Sequence, residues 1–161
     1  RKVWNFDKPY QHPGRDLGTG TQFGLSLGVA YAYRDTDKVV VDLQPDGDLM
    51  FDLGGLWIAA KYEIPILVIM YNNRAYYNDW AHQISVANKR GTDPDRAYIG
   101  MDLEGPAPDF AHIAKGLDWY AEGPILDPTE IQPAVQRAME EVKKGKPALV
   151  DIITWRRGEA A

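Results

Sequence analysis

Lys38-Val39-Val40-Val41-Asp42-Leu43-Gln44-Pro45-Asp46-Gly47 is the stretch that decides the fold, and Ile66-Leu67-Val68-Ile69-Met70-Tyr71-Asn72-Asn73 is its counterpart further along the chain. Each begins with an almost continuously apolar run, which is typical of a parallel strand covered on both faces, and ends in a polar turn. The segment Leu49–Tyr62 between them is predicted to be a helix. A strand, a helix and a second parallel strand form a βαβ unit, so both polar turns return to the same edge of one sheet.

Asp46 and Asn73 lie in these two turns, at the carboxyl ends of the predicted strands. Open α/β sheets bind their ligands at that edge. A carboxylate, an amide oxygen and one loop carbonyl would supply three of the roughly six oxygens that Mg²⁺ prefers, and diphosphate oxygens with a water would complete the shell. Taken alone, each turn is ordinary turn or capping chemistry. Their position on either side of one crossover helix predicts a site for a cation and the phosphates it carries.

The residues before the first strand are predicted to form a leading segment and a helix. Residues 1–21 are polar, aromatic and glycine-rich without a clear period, and they end in the loop Gly18-Thr19-Gly20-Thr21. Residues 22–33 contain Gly24 and Gly28, a spacing that suits a helix lying close against a sheet, although each glycine costs roughly 1 kcal/mol relative to alanine.

The second half of the chain completes an alternating pattern. Residues 72–107 are rich in Asn, Asp, Gly and Pro, and a loop of this length is usually functional or partly helical. Asp127-Pro128-Thr129-Glu130 is typical of a helix start, although Pro133 removes a backbone donor just past the first turn. The other predicted elements are a helix at Pro108–Gly116, a strand at Trp119–Ala121, a strand at Ala148–Thr154 and a polar tail at 155–161. This order predicts an α/β fold, a three-layer sandwich with a mostly parallel sheet and helices on both faces.

Composition and charge limit the classes of partner. The chain has 161 residues, the size of one domain, and a formal net charge of −5, which argues against general binding to nucleic acid or an anionic membrane. No apolar run approaches the roughly 20 residues needed to cross a bilayer, and the lack of cysteine excludes disulfides and thiolate metal sites. The cysteine content does not fix the compartment; we expect a cytoplasmic protein with a small-molecule substrate. Because the chain opens at Arg1 without an initiator Met or a signal-peptide pattern, we also expect it to be a piece of something longer.

Several stretches resemble thiamine-diphosphate-dependent enzymes, whose fingerprint opens with Gly-Asp-Gly and closes with Asn-Asn. The stretches similar to that fingerprint are Val40–Gly47, Leu56–Pro65 and Val68–Asn73. The loop Gly18–Thr21 and the glycine-bearing helix after it resemble the segment before the fingerprint in acetolactate-synthase-like and 2-hydroxyacyl-CoA-lyase-like enzymes. The later stretches similar to their C-terminal diphosphate-binding domain are Pro108–Ala111, Tyr120–Pro124 and Lys146–Val150. The resemblance implies that residues 1–161 form this one domain.

The resemblance also implies a site for thiamine diphosphate and Mg²⁺. The residues it implies as cofactor-binding are Gly18, Thr19, Gly20, Thr21, Asp46, Gly47, Asp48, Asn73, Ala75 and Tyr76. Of these, the side chains of Asp46 and Asn73 and the backbone carbonyl of Ala75 would bind Mg²⁺. The backbone N–H groups of Gly47, Asp48 and Tyr76 would face the diphosphate, near the start of a helix. The loop Gly18–Thr21 would lie near the two rings of the cofactor.

Two positions depart from the family pattern. Pro45 stands where the family usually has Gly, and since the flanking residues are intact we expect only a local change. Asp48 replaces a small Gly or Ser beside the diphosphate. A carboxylate aimed at phosphates would be repelled, so Asp48 is expected to point away or to contact the water shell of the cation.

Residues for the chemical step are harder to find in this chain. Trp80, His82 and Gln83 follow the Asn-Asn turn, where relatives place substrate contacts, but an exposed helix face is an equally good interpretation. In the resembling enzymes a glutamate that activates the cofactor comes from a pyrimidine-binding domain of the partner subunit. Nothing here corresponds to it, and Glu63 is in the wrong place. We therefore expect a pyrimidine-binding domain as partner, a homodimer or homotetramer, and no turnover by the isolated chain.

Other functions remain open at this point. The preferred hypothesis is the anchoring domain of a non-oxidative carbon–carbon lyase or ligase acting on 2-oxoacids or 2-hydroxyacyl-CoA compounds, and a 2-oxoacid decarboxylase is its close rival. A non-catalytic oligomerisation or regulatory module of the same fold is an alternative from another class. A dinucleotide-binding Rossmann domain is disfavoured because the loop Gly18–Thr21 precedes the first strong strand instead of following it.

Overall fold

A sheet of parallel strands forms the centre of the protein. The computed structural model describes Lys8, Gln11 and residues 19–155, so the predictions for Gly18 and for most of the leading segment and tail lie outside the described residues. The described strands are β1 (Val41–Pro45), β2 (Leu67–Asn72), β3 (Tyr120–Ile125) and β4 (Ala148–Ile153), in the spatial order β1-β2-β4-β3. Every pair of neighbours is parallel. The predicted α/β class with a mostly parallel sheet is confirmed.

Helices cover both faces of this sheet. They are α1 (Gln22–Tyr33), α2 (Asp46–Phe51), α3 (Gly54–Lys61), α4 (Tyr77–Arg90), α5 (Phe110–Gly116) and α6 (Pro128–Lys143). On one face, apolar side chains of α1, α2, α3 and α5 form a core with β2 and β4, which includes Phe23, Leu56 and Phe110. On the other face, Ala134 and Ala138 of α6 pack against the sheet. The result is the predicted three-layer arrangement.

Strand β1 differs from its prediction. It was expected over 38–44 with both faces covered, whereas it spans Val41–Pro45 at one edge of the described sheet. Leu43 is 48% exposed, while the polar Asp42 and Gln44 are buried on the face that α1 covers. Gln22 of α1 donates to a carboxylate oxygen of Asp42 at 2.9 Å. An edge strand lacks the second neighbour and part of the covering layer that bury a central strand.

The single helix predicted over Leu49–Tyr62 is wrong, because the chain forms α2 and α3 with a break at Asp52 and Leu53. Asp52 leaves the helical conformation, with φ −136° and ψ 41°, and closes α2. α3 then restarts at Gly54. A Cβ on Gly55 would lie 2.8 Å from the ring of Phe23, so the close approach of α3 to α1 requires a glycine there.

The other corrections concern local patterns. Residues 72–107 were predicted to be functional or partly helical, and they contain the 14-residue helix α4 and a short 3-10 turn at Pro94–Arg96. The bounds of α4 were not predicted; Ala87 is its single buried residue, and Tyr77, Trp80 and Ile84 continue the same apolar side of the helix. Gly24 and Gly28 were expected to face the sheet, yet both are exposed, and α1 packs through Phe23, Leu27 and Ala30.

The start of α6 agrees with its prediction. Asp127 caps the helix by accepting from the N–H of Thr129 at 2.9 Å, and Pro128 occupies the first position. Pro133 lies inside the helix without ending it. The hydrogen bond that Pro133 omits would reach the carbonyl of Thr129 in the first turn, so the loss stays close to the helix start.

Candidate functional site

Two polar turns meet at the carboxyl edge of the sheet, as the βαβ unit predicts. Pro45 of β1 pairs with Tyr71 of β2, so Asp46 and Asn72 are the next residues along two neighbouring parallel strands. Asp46 is 1% exposed and Asn72 is 2% exposed. The turn after β2 then continues through Asn73 and Arg74 to Ala75.

The side chains of Asp46 and Asn73 converge on a single backbone group. The N–H of Ala75 donates to Oδ2 of Asp46 at 3.1 Å and to Oδ1 of Asn73 at 2.9 Å. Both oxygens therefore lie within hydrogen-bonding distance of the same hydrogen. The structure thus brings together the two side chains that the sequence predicted as cation ligands, from turns that lie on separate strands.

The backbone of Ala75 is oriented by a segment that returns from the long connection. Ala75 forms an antiparallel bridge with Asp102. The hydrogen bonds of this bridge run from Leu103 N–H to the Arg74 carbonyl and from Tyr76 N–H to the Met101 carbonyl, each at 2.8 Å. In this pattern Ala75 is a non-hydrogen-bonded partner, so its own N–H and carbonyl face away from residues 101–103. They face the side on which the Ala75 N–H meets Asp46.

The turn after β2 holds a residue in an uncommon conformation. Arg74 has φ 57°, in the left-handed region that residues with a side chain rarely adopt. The carboxamide of Asn72 supports the turn, since its Oδ1 accepts from the Arg74 N–H at 3.0 Å. Such strain persists where the surrounding contacts determine the backbone, which is common at functional sites.

The electrostatics of Asp46 suit a cation. Burial raises the pKa of this carboxyl, and the groups that oppose the shift are backbone N–H groups, among them those of Gly47 and Ala75. In the described part of the chain, no group of three or more His, Cys, Asp or Glu side chains could hold a metal ion. A cation here would use one carboxylate, one carboxamide and one backbone carbonyl, and this all-oxygen set fits a hard ion such as Mg²⁺.

The first turn of α2 lies beside these oxygens. The N–H groups at the start of a helix have no partner within it, so those of Gly47 and Asp48 suit a phosphate, and the Gly47 N–H also faces the Asp46 carboxyl. The ring of Tyr76 lies against Gly47, where an added Cβ would come within 2.6 Å of it. The predicted role of the Tyr76 N–H needs correction, because that group donates to the Met101 carbonyl. Because the Tyr76 N–H pairs with residues 101–103, the part of Tyr76 that lies beside Gly47 is its ring.

The loop before α1 is joined to the same place. Oδ1 of Asp48 accepts from the Gly20 N–H at 3.4 Å, so this carboxylate turns toward the loop, and its orientation relative to a phosphate stays a prediction. Gly20 has φ 76°, and a Cβ there would lie 2.6 Å from the Cβ of Phe51. Thr19 and Thr21 are exposed next to it. The described part of the predicted ring-binding loop therefore lies close to α2.

The predicted substrate contacts lie on α4. The ring of Trp80 contacts the rings of Tyr77 and Tyr98, with centroids 6.4 and 6.5 Å apart. His82 and Gln83 are exposed on the same helix. Their substrate role stays a prediction. Glu63 follows α3 at the opposite, amino edge of the sheet, where it lines an open cavity of about 560 Å³ with Arg34 and Pro147, so it is far from this site as expected.

Asp151 belongs to the same region and was not identified from the sequence. It is fully buried on β4, and its Oδ1 accepts from Nδ2 of Asn72 at 3.0 Å. Burial raises its pKa to about 6, and the nearby carboxylates of Asp109 and Asp46 act in the same direction. The available signal was an acid inside the apolar run Ala148–Ile153, since a buried charge without a partner is costly.

Comparison with known proteins identifies the class. The chain matches the family described as thiamine pyrophosphate enzyme, C-terminal TPP binding domain, over residues 3–152. It is 26% identical over 153 residues to the acetolactate synthase isozyme 3 large subunit of Escherichia coli (strain K12), covering 91% of this chain and 24% of that protein. It is 27% identical over 146 residues to the 2-hydroxyacyl-CoA lyase of Oryza sativa subsp. japonica, covering 86% and 23%.

A solved structure gives the same result. The thiamine diphosphate-dependent 4-hydroxybenzoylformate decarboxylase of Rhodococcus jostii RHA1 superposes with a TM-score of 0.62 at 26% identity, covering 84% of this chain and 23% of that chain. The chain belongs to the family of C-terminal thiamine-diphosphate-binding domains of thiamine-diphosphate-dependent enzymes. The family predicted from the sequence is confirmed, and with it thiamine diphosphate as the cofactor class.

The chain spans about a quarter of the length of the curated relatives it matches. None of the helices in residues 19–155 is long and apolar enough to cross a membrane.

Proposed function

We propose that this chain anchors thiamine diphosphate through Mg²⁺ in a non-oxidative carbon–carbon lyase or ligase that acts on 2-oxoacids or 2-hydroxyacyl-CoA compounds. The observation that carries the proposal is the convergence of Asp46 and Asn73 on the Ala75 N–H. The similarity to acetolactate synthase and 2-hydroxyacyl-CoA lyase supports the reaction class.

Each part of the site has a separate task. Asp46, Asn73 and the Ala75 carbonyl hold Mg²⁺, and the N–H groups of Gly47 and Asp48 bind the diphosphate. Asp48 ties the loop around Gly20 to α2. When bound, thiamine diphosphate supplies a carbanion that adds to carbonyl groups and a ring that accepts electrons. This chain therefore contributes anchoring and orientation.

The test is cofactor retention by the complete enzyme. Asp46→Ala together with Asn73→Ala is expected to weaken Mg²⁺-dependent binding of thiamine diphosphate at least a hundredfold, since two of three protein ligands are lost. Calorimetry with and without a chelator measures this directly. Unchanged retention in the double variant would refute the proposed site, and binding that ignores the chelator would refute the role of Mg²⁺. No binding by the wild type would favour the non-catalytic module.

Exposed apolar side chains support a partner domain. Leu25 and Tyr31 of α1 are 40% and 48% exposed, and Trp57 and Ile58 of α3 are 52% and 41% exposed. α1 and α3 contact each other, so these side chains lie on adjacent helices. Large exposed apolar areas commonly mark interaction surfaces. We therefore propose a pyrimidine-binding domain, of the same enzyme or a partner subunit, as the partner, in a cytoplasmic homodimer or homotetramer.

A 2-oxoacid decarboxylase is the second candidate, and the superposition on a decarboxylase favours it. Incubation of the complete enzyme with pyruvate, glyoxylate and acyl-CoA substrates distinguishes the two. A ligase joins two of these substrates into one product, and a lyase splits a 2-hydroxyacyl-CoA. A decarboxylase releases carbon dioxide and an aldehyde from one 2-oxoacid without joining.

A further inference from the structure

Asp151 lies where burial makes an ionised carboxylate energetically unfavourable. It is 0% exposed, and among the described residues its Oδ2 has no hydrogen-bond partner. Strand β3 closes over it, because Gly123 approaches so near that a Cβ there would lie 2.6 Å from the Asp151 carbonyl oxygen and 2.8 Å from its Cβ. An apolar side chain would avoid the cost of burying an acid. The position therefore calls for a role beyond packing.

Its single described side-chain bond leads toward the cation site. Met70 of β2 is the register partner of Asp151, and Asn72 follows Met70 by two residues on the same face of the sheet. Oδ1 of Asp151 accepts from Nδ2 of Asn72 at 3.0 Å. A carboxylate can accept but cannot donate, so this bond fixes which end of the Asn72 carboxamide is the NH₂ group.

The other end of the same carboxamide shapes the turn. Oδ1 of Asn72 accepts from the Arg74 N–H at 3.0 Å, and Arg74 is the residue in the left-handed conformation. The next N–H, of Ala75, is the one that Asp46 and Asn73 share. A reversed carboxamide would present NH₂ to the Arg74 N–H, and two donors cannot bond. The path from Asp151 through Asn72 to the turn is thus continuous.

We propose that Asp151 is a positioning residue for the metal site, which holds the Asn72 carboxamide in the orientation that forms the turn bearing Asn73 and Ala75. This inference rests on the proposed function, because it needs a cation at Asp46 and Asn73. Residues that orient the ligands of a metal typically change its affinity ten- to a hundredfold when they are replaced.

Asp42 is the matched control. It is 3% exposed on the same covered face of the sheet, and its Oδ2 also has no partner in the described region. Its Oδ1, however, accepts from Gln22 of α1, outside the path to the turn. Burial raises its pKa as well. Replacing either acid changes the burial of a charge, whereas replacing Asp151 alone interrupts the path through Asn72.

The experiment measures the Kd for Mg²⁺ of the complete enzyme in saturating thiamine diphosphate. Asp151→Leu is expected to raise this Kd ten- to a hundredfold, whereas Asp151→Asn keeps an acceptor for Asn72 and is expected to change it less than about threefold. Asp42→Leu is expected to leave it unchanged. In an Asn72→Ala background, Asp151→Leu is expected to cause no further loss. The proposal would be overturned by an unchanged Kd in Asp151→Leu or by an equal loss of affinity in Asp42→Leu. It would also be overturned by a tenfold loss in Asp151→Asn, or by a further loss when Asp151→Leu is added to Asn72→Ala.

A second variant guards against a failure to fold. Asp151→Leu leaves the Asn72 NH₂ buried without an acceptor, whereas Asn72→Leu/Asp151→Leu removes both members of that pair, and such paired replacements can be nearly neutral for stability. In the double variant the Arg74 N–H, in the half-buried turn, loses its Asn72 acceptor. The double variant is expected to lose Mg²⁺ affinity by the same ten- to hundredfold factor. Unchanged affinity would overturn the proposal. Asp46→Ala is measured in parallel to test the proposed metal site separately from the role of Asp151. Unchanged Mg²⁺ affinity in Asp46→Ala would refute the metal site itself.

Discussion

At the residue scale, the site depends on positions where no side chain fits. Gly47 lies at the start of α2, with the ring of Tyr76 so close that a Cβ would come within 2.6 and 2.8 Å of two ring carbons. The same ring lies 5.6 Å from that of Phe51, between centroids. The side chain of Phe51 in turn leaves no room for a Cβ on Gly20, which would lie 2.6 Å from the Cβ of Phe51. These contacts pack α2, the turn after β2 and the loop before α1 against one another.

Gly47→Ala is therefore expected to weaken cofactor binding in the complete enzyme. The added methyl group forces the Tyr76 ring to move, an overpacking that costs about 1–3 kcal/mol of stability, and the displaced ring and turn are expected to raise the Kd for thiamine diphosphate. Calorimetry at saturating Mg²⁺ measures the effect. Gly28→Ala is the matched control, because a Cβ at Gly28 meets nothing within 4 Å in the described structure and should leave the Kd unchanged.

Asp151 predicts a pH dependence of stability in the cofactor-free protein. Burial raises its pKa from 3.8 to about 6, so the folded state binds this proton more tightly than the unfolded chain. Its stabilising contribution is present below about pH 4 and is lost as the pH rises through about 6. Asp151→Asn cannot titrate, so relative to the wild type it should gain about 2–3 kcal/mol between about pH 4 and 7. Thermal midpoints of both proteins over this range measure the change. A difference that stays constant with pH would contradict the prediction.

At the element scale, four helices end in the same way. After α3, α4, α5 and α6, a residue with positive φ is followed by one whose N–H bonds back to the helix. The residues in the left-handed conformation are Glu63, Gly91, Asp118 and Gly145. Glycine adopts this conformation without cost, whereas residues with a Cβ are strained. Two of the four helices therefore end at a position that favours glycine but lacks it.

Asp118→Gly is expected to stabilise the end of α5. Asp118 has φ 66°, and the Trp119 N–H after it bonds to the Ala114 carbonyl at 3.1 Å. Relief of the strain is worth about 1 kcal/mol, which should slow hydrogen exchange of the last amides of α5 roughly fivefold in the complete protein. Asp118→Ala removes the same carboxylate but keeps the strain. If alanine slows exchange as much as glycine does, the charge at the helix end is responsible, instead of the backbone.

The elements also show where sequence patterns are informative. α1 was predicted over its observed bounds, although the glycines used for that prediction do not face the sheet, and the start of α6 could be predicted because a capping acid is a local feature. The bounds of α4 could not be predicted in the same way, because the helix lies in a stretch that is rich in Asn, Asp, Gly and Pro. The break between α2 and α3 lies at Asp52 and Leu53, just before the close contact of Gly55 with Phe23. Both β1 and β4 were predicted even though Asp42 and Asp151 interrupt their apolar runs, but the burial of these two acids was not.

At the scale of the whole molecule, anchoring and turnover are expected to separate. The residues of this chain that meet at the carboxyl edge can hold a cation and a diphosphate, but Glu63, a carboxylate considered for activating the cofactor, lies at the opposite edge. We predict that the isolated chain binds Mg²⁺ and thiamine diphosphate and forms no product from 2-oxoacids. Addition of the pyrimidine-binding domain should restore product formation. Normal rates from the isolated chain, measured by product analysis, would contradict this division.

The sequence by itself determined the fold class, the family and the meeting of Asp46 with Asn73. These follow from local periodicity and from the geometry of a parallel crossover, which leaves the two turns no other edge to occupy. Only the tertiary structure decided how the site is oriented. The Ala75 backbone is aligned by residues 101–103, and Asn72 is held by Asp151 on another strand. Such contacts join residues far apart in the chain, and they depend on how the packed elements position each other, which no local pattern encodes.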